Sequence, residues 1–320
     1  MTALLWLLAA GLAGATFLPY AGGFYFLFEL LSHFRIIYLG FGLTLTLLAW
    51  IQKCRAIAAV CLSCTLINGA EILPAYIPVA SGVKGGDQLT IVQANVWSGN
   101  SSADRLLRLV DKIKPDIVAL QEISPAWAIQ LSALKDRYRY AKIVAREDNF
   151  GLALFSRLPV SRIKVHHYSL VPSISAQINW HGQSFWFIDA HVLPPLGADV
   201  FHNRNADMTK LFAEAKRHAP AIIAGDFNIT RFSPVLKSLL AGANLSLASD
   251  GHGQIPSWPV AMIPPLIGID HIFISPEFIA TDVHTGPRLG SDHLPVITTL
   301  TWNSHQKNPG IHKDAEKSHP

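Results

Sequence analysis

The chain is predicted to be a mixed α/β protein, in which layered sheets flanked by helices follow three transmembrane helices. Short apolar runs rich in Ile, Val and Phe recur after residue 88 and alternate with amphipathic stretches, a pattern typical of buried strands and packed helices. Of the 320 residues, 50% are hydrophobic and only 15% are charged. An ordinary soluble domain has about 25% charged residues, so part of the chain is expected to lie in lipid.

The apolar excess is concentrated before residue 81, in the segments Leu4–Leu31, Ile36–Ile51 and Ala56–Ala80. A membrane span needs about 20 mainly apolar residues, so the first and third segments are long enough and the second is short. A cleaved signal peptide is the less favoured interpretation of the first segment, because nothing basic precedes it and it continues past Tyr20. Buried soluble helices are disfavoured because no polar face appears. Residues 1–80 are therefore predicted to form a membrane domain.

The orientation of this domain is predicted from few charges. Lys53 and Arg55 lie in the turn between the second and third segments, which the positive-inside tendency places in the cytoplasm. Three spans then put everything after Ala80 on the periplasmic or extracellular side of the cytoplasmic membrane. Arg35, in the other loop, argues weakly against this orientation. Asn68 and Glu71 are expected at the membrane interface.

The remaining elements follow in chain order after a flexible linker over residues 81–88. The first two strands end at Asn95 and Glu122, and helices are predicted at Ser101–Lys114, Pro125–Arg137 and Asn203–His218. Further strands are predicted at Ala141–Val144, Gly151–Phe155, Ile163–Tyr168, Ser175–Trp180, Ser184–His191, Ala221–Gly225, Ile269–Ser275 and Pro295–Trp302. Residues 303–320 form a polar tail that is predicted to be disordered.

Polar residues stand at the ends of these apolar runs, where a rigid scaffold positions functional groups. In chain order they are Asn95, Gln121-Glu122, Asp189-Ala190-His191, Gly225-Asp226-Phe227-Asn228, Ile269-Asp270-His271 and Ser291-Asp292-His293-Leu294-Pro295. Phosphoester hydrolysis needs a cation, an oriented water and donors to the transition state. These residue types could assemble one metal-phosphate site.

The ordered set resembles the endonuclease/exonuclease/phosphatase superfamily, and Gly151–Pro159 is similar to the central strand and turn of that family. The resemblance extends from Leu89 to Trp302. It implies a four-layer α/β sandwich over residues 89–302 and a metal-dependent hydrolase of ester or phosphoanhydride bonds. Three preceding spans resemble a membrane-bound branch that includes teicoplanin-resistance proteins, which implies a polyprenyl pyrophosphate substrate.

The resemblance assigns the metal to Glu122 and Asp292, with Asn95 steadying the metal-bound phosphate. Hard oxygen ligands suit Mg²⁺, and Mn²⁺ is the other candidate cation. A glycan on the sequon at Asn228 would block the site, which favours a bacterial source.

The catalytic roles are likewise implied by the resemblance. His293 is expected to act as general base or electrostatic partner, with Asp270 fixing its tautomer and orientation. Asp226 is expected to orient the attacking water or bind metal. Asn228 and His191 are expected to contact phosphate oxygens, His191 as acid or hydrogen-bond donor.

Three nearby residues have open interpretations. His271 stands where many relatives have Tyr, and a packed structural histidine is favoured over a ligand. Gly268 departs from the Arg that often precedes the Ile-Asp pair. Arg204 either braces the site or forms a surface ion pair.

The expected substrate is a lipid phosphate or pyrophosphate, since tethering confines enzyme and substrate to one surface. The net charge is +4 with dispersed basic residues, so nucleic acid is the less favoured partner. An anchored nuclease or phosphodiesterase is the second hypothesis, and a catalytically silent membrane receptor or scaffold is the third. No protein partner is predicted.

Overall fold

The computed structural model describes residues 2–79, 86–168, 170–261 and 267–303. The helices are α1 (Thr2–Phe17), α2 (Phe26–Ser32), α3 (Arg35–Ile51), α4 (Arg55–Ile72), α5 (Asp104–Ile113), α6 (Pro125–Gln130), α7 (Ala198–Arg217) and α8 (Pro234–Ala243). The strands are β1 (Leu89–Asn95), β2 (Ile117–Gln121), β3 (Tyr140–Val144), β4 (Leu152–Ser156), β5 (Val160–His167), β6 (Pro172–Trp180), β7 (Gln183–His191), β8 (Ala221–Asp226), β9 (Ser246–Leu247), β10 (Asp270–Ile274), β11 (Phe278–Thr285) and β12 (Val296–Trp302). The linker predicted over residues 81–88 lies partly outside the described residues, and the tail predicted over residues 303–320 lies almost entirely outside them.

Two six-stranded mixed sheets form the body of the molecule. The first has the order β11-β12-β1-β2-β4-β3 and the second the order β5-β6-β7-β8-β10-β9. One pair in each sheet is parallel, β1 with β2 and β7 with β8, and the other neighbours are antiparallel. Each parallel pair lies in the middle of its sheet, where strands are most completely buried.

The two sheets pack face to face, and their apolar side chains form one central core. Ile91 and Ile117 of the first sheet share this core with Phe187 and Ile222 of the second. Helices α5 and α6 cover the outer face of the first sheet, and α7 and α8 cover that of the second. The predicted α/β sandwich of two mixed sheets flanked by helices is therefore confirmed.

Three elements of this sandwich, α8, β9 and β11, were not predicted, and β9 has only two residues. Helix α8 begins after Ser233, whose hydroxyl accepts hydrogen bonds from the backbone amides of Val235 and Leu236, a typical N-cap followed by Pro at the first helical position. Strand β11 is an edge strand with several half-exposed or exposed residues. It lacks the continuous apolar run by which the buried strands were identified.

The N-terminal segment differs from the prediction. The apolar segment Leu4–Leu31 is not one helix, because α1 ends at Phe17 and a short 3₁₀ helix over Leu18–Ala21 follows. Pro19 and the pair Gly22-Gly23 interrupt it, since Pro and Gly both disfavour a continuous helix. Helix α2 is a separate seven-residue helix.

Within the described part of the chain, two helical segments are long and apolar enough to cross a membrane, Thr2–Ala21 and Arg55–Tyr76. A third span exists only if the bent pair Phe26–Ser32 and Arg35–Ile51, with 68° between its members, counts as one. Three transmembrane helices are thus a maximum for these residues.

Several polar residues inside the helical bundle form hydrogen bonds with one another. The guanidinium of Arg35 donates to the carbonyl of Thr16 and to Oδ1 of Asn68, both at 3.1 Å, and its carbon lies 4.8 Å from the ring centroid of Tyr20. The Asn68 amide donates to Oγ1 of Thr16 at 2.9 Å. Arg35 and Asn68 are both buried. The Asn68 side chain is thus enclosed by helices, and its position at the membrane interface stays a prediction.

The end of α4 and the residues that follow it contact the side of the sandwich that is formed by the second sheet and its helices. Glu71 forms an ion pair with Lys237 of α8, and the backbone amide of Gly253 donates to the carbonyl of Ala75 at 2.7 Å. At Gly251, with φ of +82°, a Cβ atom would come within 2.8 Å of the backbone nitrogen of Val79. Glycine therefore permits the close approach of these two segments.

Candidate active site

The candidate site lies at one edge of the sandwich, where β1, β2, β7 and β8 end and β10 begins. The register pairs Asn95 with Gln121, His191 with Asp226, and Asp226 with Asp270. Neighbouring strands lie about 4.8 Å apart. Polar residues that are far apart in the chain are thereby brought side by side, as the positions of the motifs at strand ends predicted.

Asp226 lies at the centre of this arrangement. Its Oδ2 accepts a hydrogen bond from Nδ2 of Asn95 at 3.0 Å, and Nε2 of His191 and of His293 lie 3.6 and 3.7 Å from the same oxygen. Burial and the charge of Asp270 raise the pKa of Asp226, and the two histidines oppose that shift. The buried carboxylate is thus surrounded by the groups that could share a proton with it.

Gly225 allows the strands to meet here. Its φ is +153°, and a Cβ atom at this position would lie 1.8 Å from the carbonyl oxygen of Ala190. Only glycine tolerates both the backbone conformation and the contact. The sequence Gly225-Asp226 is therefore required for structural as well as chemical reasons.

His293 and Asp270 form a buried hydrogen-bonded pair. Nδ1 of His293 lies 2.8 Å from Oδ2 of Asp270. Burial alone would lower the pKa of His293, but the charges of Asp270 and Asp226 outweigh it and raise the pKa to about 10. Burial would raise the pKa of Asp270, but the adjacent His293 outweighs it and the pKa is lowered. The pair is therefore held as imidazolium and carboxylate.

Two serines hold this pair in place, and sequence analysis identified a role for neither. The Ser291 hydroxyl donates to the carbonyl of Asn95 at 2.8 Å and accepts from the backbone amide of His293 at 3.0 Å. The Ser257 hydroxyl accepts from the backbone amides of Ile269 and Asp270 at 3.3 and 3.2 Å. Ser291 stands inside a recognised motif, whereas nothing in the local sequence distinguishes Ser257.

Glu122 stands at a strained position beside Asn95. Its φ is +63°, in the left-handed region that non-glycine residues rarely adopt. Its Oε1 accepts from Nδ2 of Asn95 and its Oε2 from the backbone amide of Ser98, both at 3.0 Å. These contacts fix a half-buried carboxylate at the end of β2, as a metal ligand requires.

Asp292 has one buried oxygen available. Its Oδ2 accepts a hydrogen bond from Nε1 of Trp258 at 3.0 Å. Its Oδ1 is buried and has no hydrogen-bond partner within the residues the structure describes. A buried unpaired carboxylate oxygen is costly, and a bound cation would satisfy it.

The donors at the site fit a divalent cation. Ligand atoms of Asp226, Asp270 and His293 lie within 4.8 Å of one another. Asp270 and His293 are already bonded to each other, so of these three Asp226 is the one available either to bind a cation or to orient a water. Together with Glu122 and Asp292, it gives the carboxylate oxygens that hard cations prefer.

Asn228 and His191 border the site with different partners. Nδ2 of Asn228 donates to the carbonyl of Val192 at 2.9 Å, and its backbone amide donates to Oδ1 of Asp226 at 3.0 Å. The side-chain amide of Asn228 therefore already makes one hydrogen bond within the protein. The His191 ring lies 4.8 Å from the Phe150 ring, and its Nδ1 is buried without a hydrogen-bond partner in the described ranges.

A buried chain of hydrogen bonds crosses the interface between the sheets to Asp270, and sequence analysis did not identify it. Nε2 of Gln93 donates to Oδ1 of Asp270 at 2.9 Å and to Oε1 of Gln121 at 2.7 Å. Nε2 of Gln121 donates to Oδ1 of Asp189 at 2.7 Å. Complete burial raises the pKa of Asp189 well above its usual value. The signal was the occurrence of polar residues inside otherwise apolar strands, which are costly unless paired.

The three residues with open interpretations are placed as follows. His271 is buried, lies against Phe227 and Phe273, and has Nε2 2.8 Å from the carbonyl of Ile229, so the packed histidine is correct. A Cβ on Gly268 would lie 2.5 Å from the carbonyl of Ile255, which leaves no room for the Arg of relatives. Arg204 is fully buried, so a surface ion pair is wrong.

Comparison with solved structures shows the same fold. The chain is 18% identical to humanized TDP2 of D. rerio (TM-score 0.56), with 67% of this chain and 99% of that chain covered. It is 18% identical to an endonuclease/exonuclease/phosphatase of Beutenbergia cavernae (TM-score 0.57; 68% and 72% covered). It is 19% identical to a mannosyl-6-phosphatase of Bacteroides thetaiotaomicron (TM-score 0.51; 67% and 100% covered).

At the level of sequence, no curated protein matches the chain significantly. Residues 92–293 match the Endonuclease/Exonuclease/phosphatase family. This range covers more than half of the chain and contains the whole of the candidate site. Members of the family are metal-dependent hydrolases of phosphoester bonds. The chain therefore belongs to the Endonuclease/Exonuclease/phosphatase family and is a metal-dependent hydrolase.

Proposed function

We propose that this hydrolase is anchored in the cytoplasmic membrane and removes phosphate from a lipid phosphate or pyrophosphate at the outer face of that membrane. One observation carries the proposal. A fully buried ion pair joins Glu29 of the apolar N-terminal helices to Arg204 of the catalytic domain, beside the loop that holds Asn228. The ion pair thus connects the proposed membrane helices directly to the domain that holds the candidate active site.

The contacts at this junction are specific. Nη2 of Arg204 donates to Oε2 of Glu29 at 2.5 Å, and the Ser233 hydroxyl donates to Oε1 at 2.8 Å. Nη1 of Arg204 donates to the carbonyl of Asn228 at 3.3 Å. Nδ1 of His33 lies 3.0 Å from Oγ1 of Thr230. The loop over residues 228–233 is therefore fixed from the side of the N-terminal helices, and a lipid substrate would be concentrated next to it.

The arrangement of helices supports the outer location. Helix α3 leads away from the sandwich and α4 returns to it, so Lys53 and Arg55 lie at the far end of the bundle. The positive-inside tendency places that end in the cytoplasm. Arg35, the charge that argued against this orientation, is buried within the bundle and so carries little weight as a loop charge.

In the proposed reaction Glu122 and Asp292 hold Mg²⁺ or Mn²⁺, with Asn95 beside them. When bound, the cation neutralises charge on the phosphoryl oxygens. Asp226 orients the attacking water and accepts its proton, because its carboxylate lies at the centre of the site and burial raises its pKa.

The two histidines stabilise the phosphate in this proposal. With a pKa of about 10, His293 carries a proton at neutral pH. This favours its role as electrostatic partner over that of general base. Asp270 fixes Nδ1 of His293, which leaves Nε2 directed to the side of Asp226. His191, at the end of β7, and Asn228, just after the neighbouring strand β8, donate to phosphoryl oxygens.

The test is phosphate release by detergent-purified protein, with Mg²⁺, Mn²⁺ or EDTA, from polyprenyl pyrophosphate, phospholipid phosphates and plasmid DNA in parallel. Release from a lipid phosphate should require the cation and should be lost in Glu122→Ala and His293→Ala. The exposed residues Glu147 and His167 provide matched controls as Glu147→Ala and His167→Ala. DNA cleavage with salt-sensitive binding would support the nuclease instead. Absence of turnover on all substrates would count against the proposed class of substrate.

A further inference from the structure

A groove lies between the start of α3 and the sandwich. It contains about 610 Å³ of empty space, part of which is open to the surroundings. Its apolar walls include Phe34, Ile36 and Ile37 from the N-terminal helices, and Ile255, Pro256 and Ile267 from the catalytic domain. We infer that this groove binds the hydrocarbon chain of the lipid phosphate substrate. The inference rests on the proposed function and deepens it.

The wall formed by α3 is continuous with the surface that the proposed function assigns to lipid. Ile36 and Ile37 are 43% and 42% exposed although they line the groove. The exposed apolar face of α3 continues through Leu43 and Leu47. Exposed apolar patches of this kind mark contacts with lipid, ligand or protein. A chain that leaves the groove along α3 therefore remains on apolar surface.

The opposite wall is formed by segments that adjoin catalytic residues in the chain. Thr230 lies two residues after Asn228, and Gly268 lies two residues before Asp270. Pro256 immediately precedes Ser257, whose hydroxyl accepts the backbone hydrogen bond of Asp270. All three groove segments thus adjoin residues of the candidate active site in the chain, and we place the phosphate end of a bound lipid on this side of the groove.

The polar groups in the groove suit an amphiphile with few hydrogen-bonding atoms. His33 and His271 already have partners in Thr230 and the carbonyl of Ile229, and Arg231 pairs with Asp250. The exception in the described part of the groove is Nε2 of Gln254, which is buried without a hydrogen-bond partner. An ester or phosphate oxygen near the head of the lipid would accept from it.

The test measures binding rather than turnover. Detergent-purified full-length protein is titrated with hexadecylphosphonate and with butylphosphonate, which differ in chain length alone. Each methylene buried in an apolar site strengthens binding by about fourfold, so the longer chain should bind at least about tenfold more tightly. Ile37→Trp should obstruct the groove and abolish the preference. Leu47→Trp makes the same change on the exposed face of the same helix and should retain it.

A second measurement does not depend on a variant. A hexadecylphosphonate with a photoreactive diazirine in its chain should label the wild-type protein at residues 33–37 and 254–256. Labelling confined to the rest of α3 and α4, or equal affinity of Ile37→Trp and wild type for the long chain, would overturn the inference.

The two proposals can fail separately. A chain-length preference that is lost in Ile37→Trp, without hydrolysis of any lipid phosphate, would support the groove and overturn the proposed function. The opposite result is also possible: lipid phosphates are hydrolysed at rates that do not depend on chain length and that Ile37→Trp does not change. That result would support the proposed function and overturn the inference about the groove.

Discussion

Replacing Glu29 with Gln should destabilise the protein strongly although the two side chains have nearly the same shape. Glu29 and Arg204 are both 0% exposed, and the pair has no access to solvent. Removing one charge leaves the guanidinium buried without a counterion, which typically costs about 3–5 kcal/mol. Burial already lowers the pKa of Arg204, and Glu29 is the group that opposes this shift. The Gln side chain retains an oxygen for the Ser233 hydroxyl, so the loss should lie near the lower value.

The assay is thermal unfolding of detergent-purified wild type and Glu29→Gln. A loss of about 3 kcal/mol corresponds to a decrease in melting temperature of about 6–12 °C for a domain of this size. Lys237→Ala is the matched control, because it removes an ion pair with Glu71 at the same junction where the Lys237 side chain is 48% exposed. Exposed pairs contribute about 0–1 kcal/mol, so the control should change the melting temperature little.

A double variant separates stability from catalysis. Glu29→Leu combined with Arg204→Met replaces the buried pair by apolar side chains and should recover most of the stability. It also removes the hydrogen bond from Arg204 to the carbonyl of Asn228, so phosphate release should remain below wild type. The reasoning is refuted if Glu29→Gln melts at the same temperature as Lys237→Ala.

Two further predictions concern the site, and a third concerns the buried His271. Glu122→Gln should lose the rise in melting temperature that Mg²⁺ produces in wild type. At a cation concentration of 100 times Kd, that rise corresponds to about 2.7 kcal/mol of added stability. An equal rise in the variant would contradict the metal assignment. Asp270→Asn should lower the turnover number at least about a hundredfold and lower the pKa of His293, as read by NMR titration of the imidazole, whereas Asp282→Asn at the exposed edge should change neither. Burial lowers the pKa of His271 to about 4 from 6.5, so the unfolded chain binds this proton more readily. His271 should therefore remove about 3 kcal/mol of stability as pH decreases from 6.5 to 4, and in His271→Gln the melting temperature should fall less over that range than in wild type.

The catalytic fold was predictable because its signals are local. Strands buried on both faces require continuous apolar runs, and the polar residues that end them face one edge of the sandwich. Asp226 could therefore be expected near Asp270 and His191 before their register was known. The hydrogen bonds among Gln93, Gln121 and Asp189 could not be predicted in the same way. A polar residue inside an apolar strand indicates that a partner is needed, but not which one, and these partners are 28 and 68 residues apart in the chain.

The N-terminal part was less predictable. Composition indicates apolar helices but does not fix their breaks, although Pro19 and Gly22-Gly23 are recognised interruption signals. The function of Glu29 depends on a partner 175 residues later. The sequence analysis assigned Glu29 no role: a carboxylate inside an apolar segment generally needs a partner, but no local pattern identifies Arg204 as that partner.

The distance along the chain between Glu29 and Arg204 has a consequence for biosynthesis. Domains are synthesised from the N-terminus at about 5–20 residues per second, so Glu29 leaves the ribosome many seconds before its counterion exists. During that interval the bundle can complete its own polar contacts, because Arg35, Asn68 and Thr16 all belong to it. Glu29 has no such partner in the bundle among the hydrogen bonds of the described residues. We therefore expect helix α2 to reach its final place only after the catalytic domain, with Arg204, has folded.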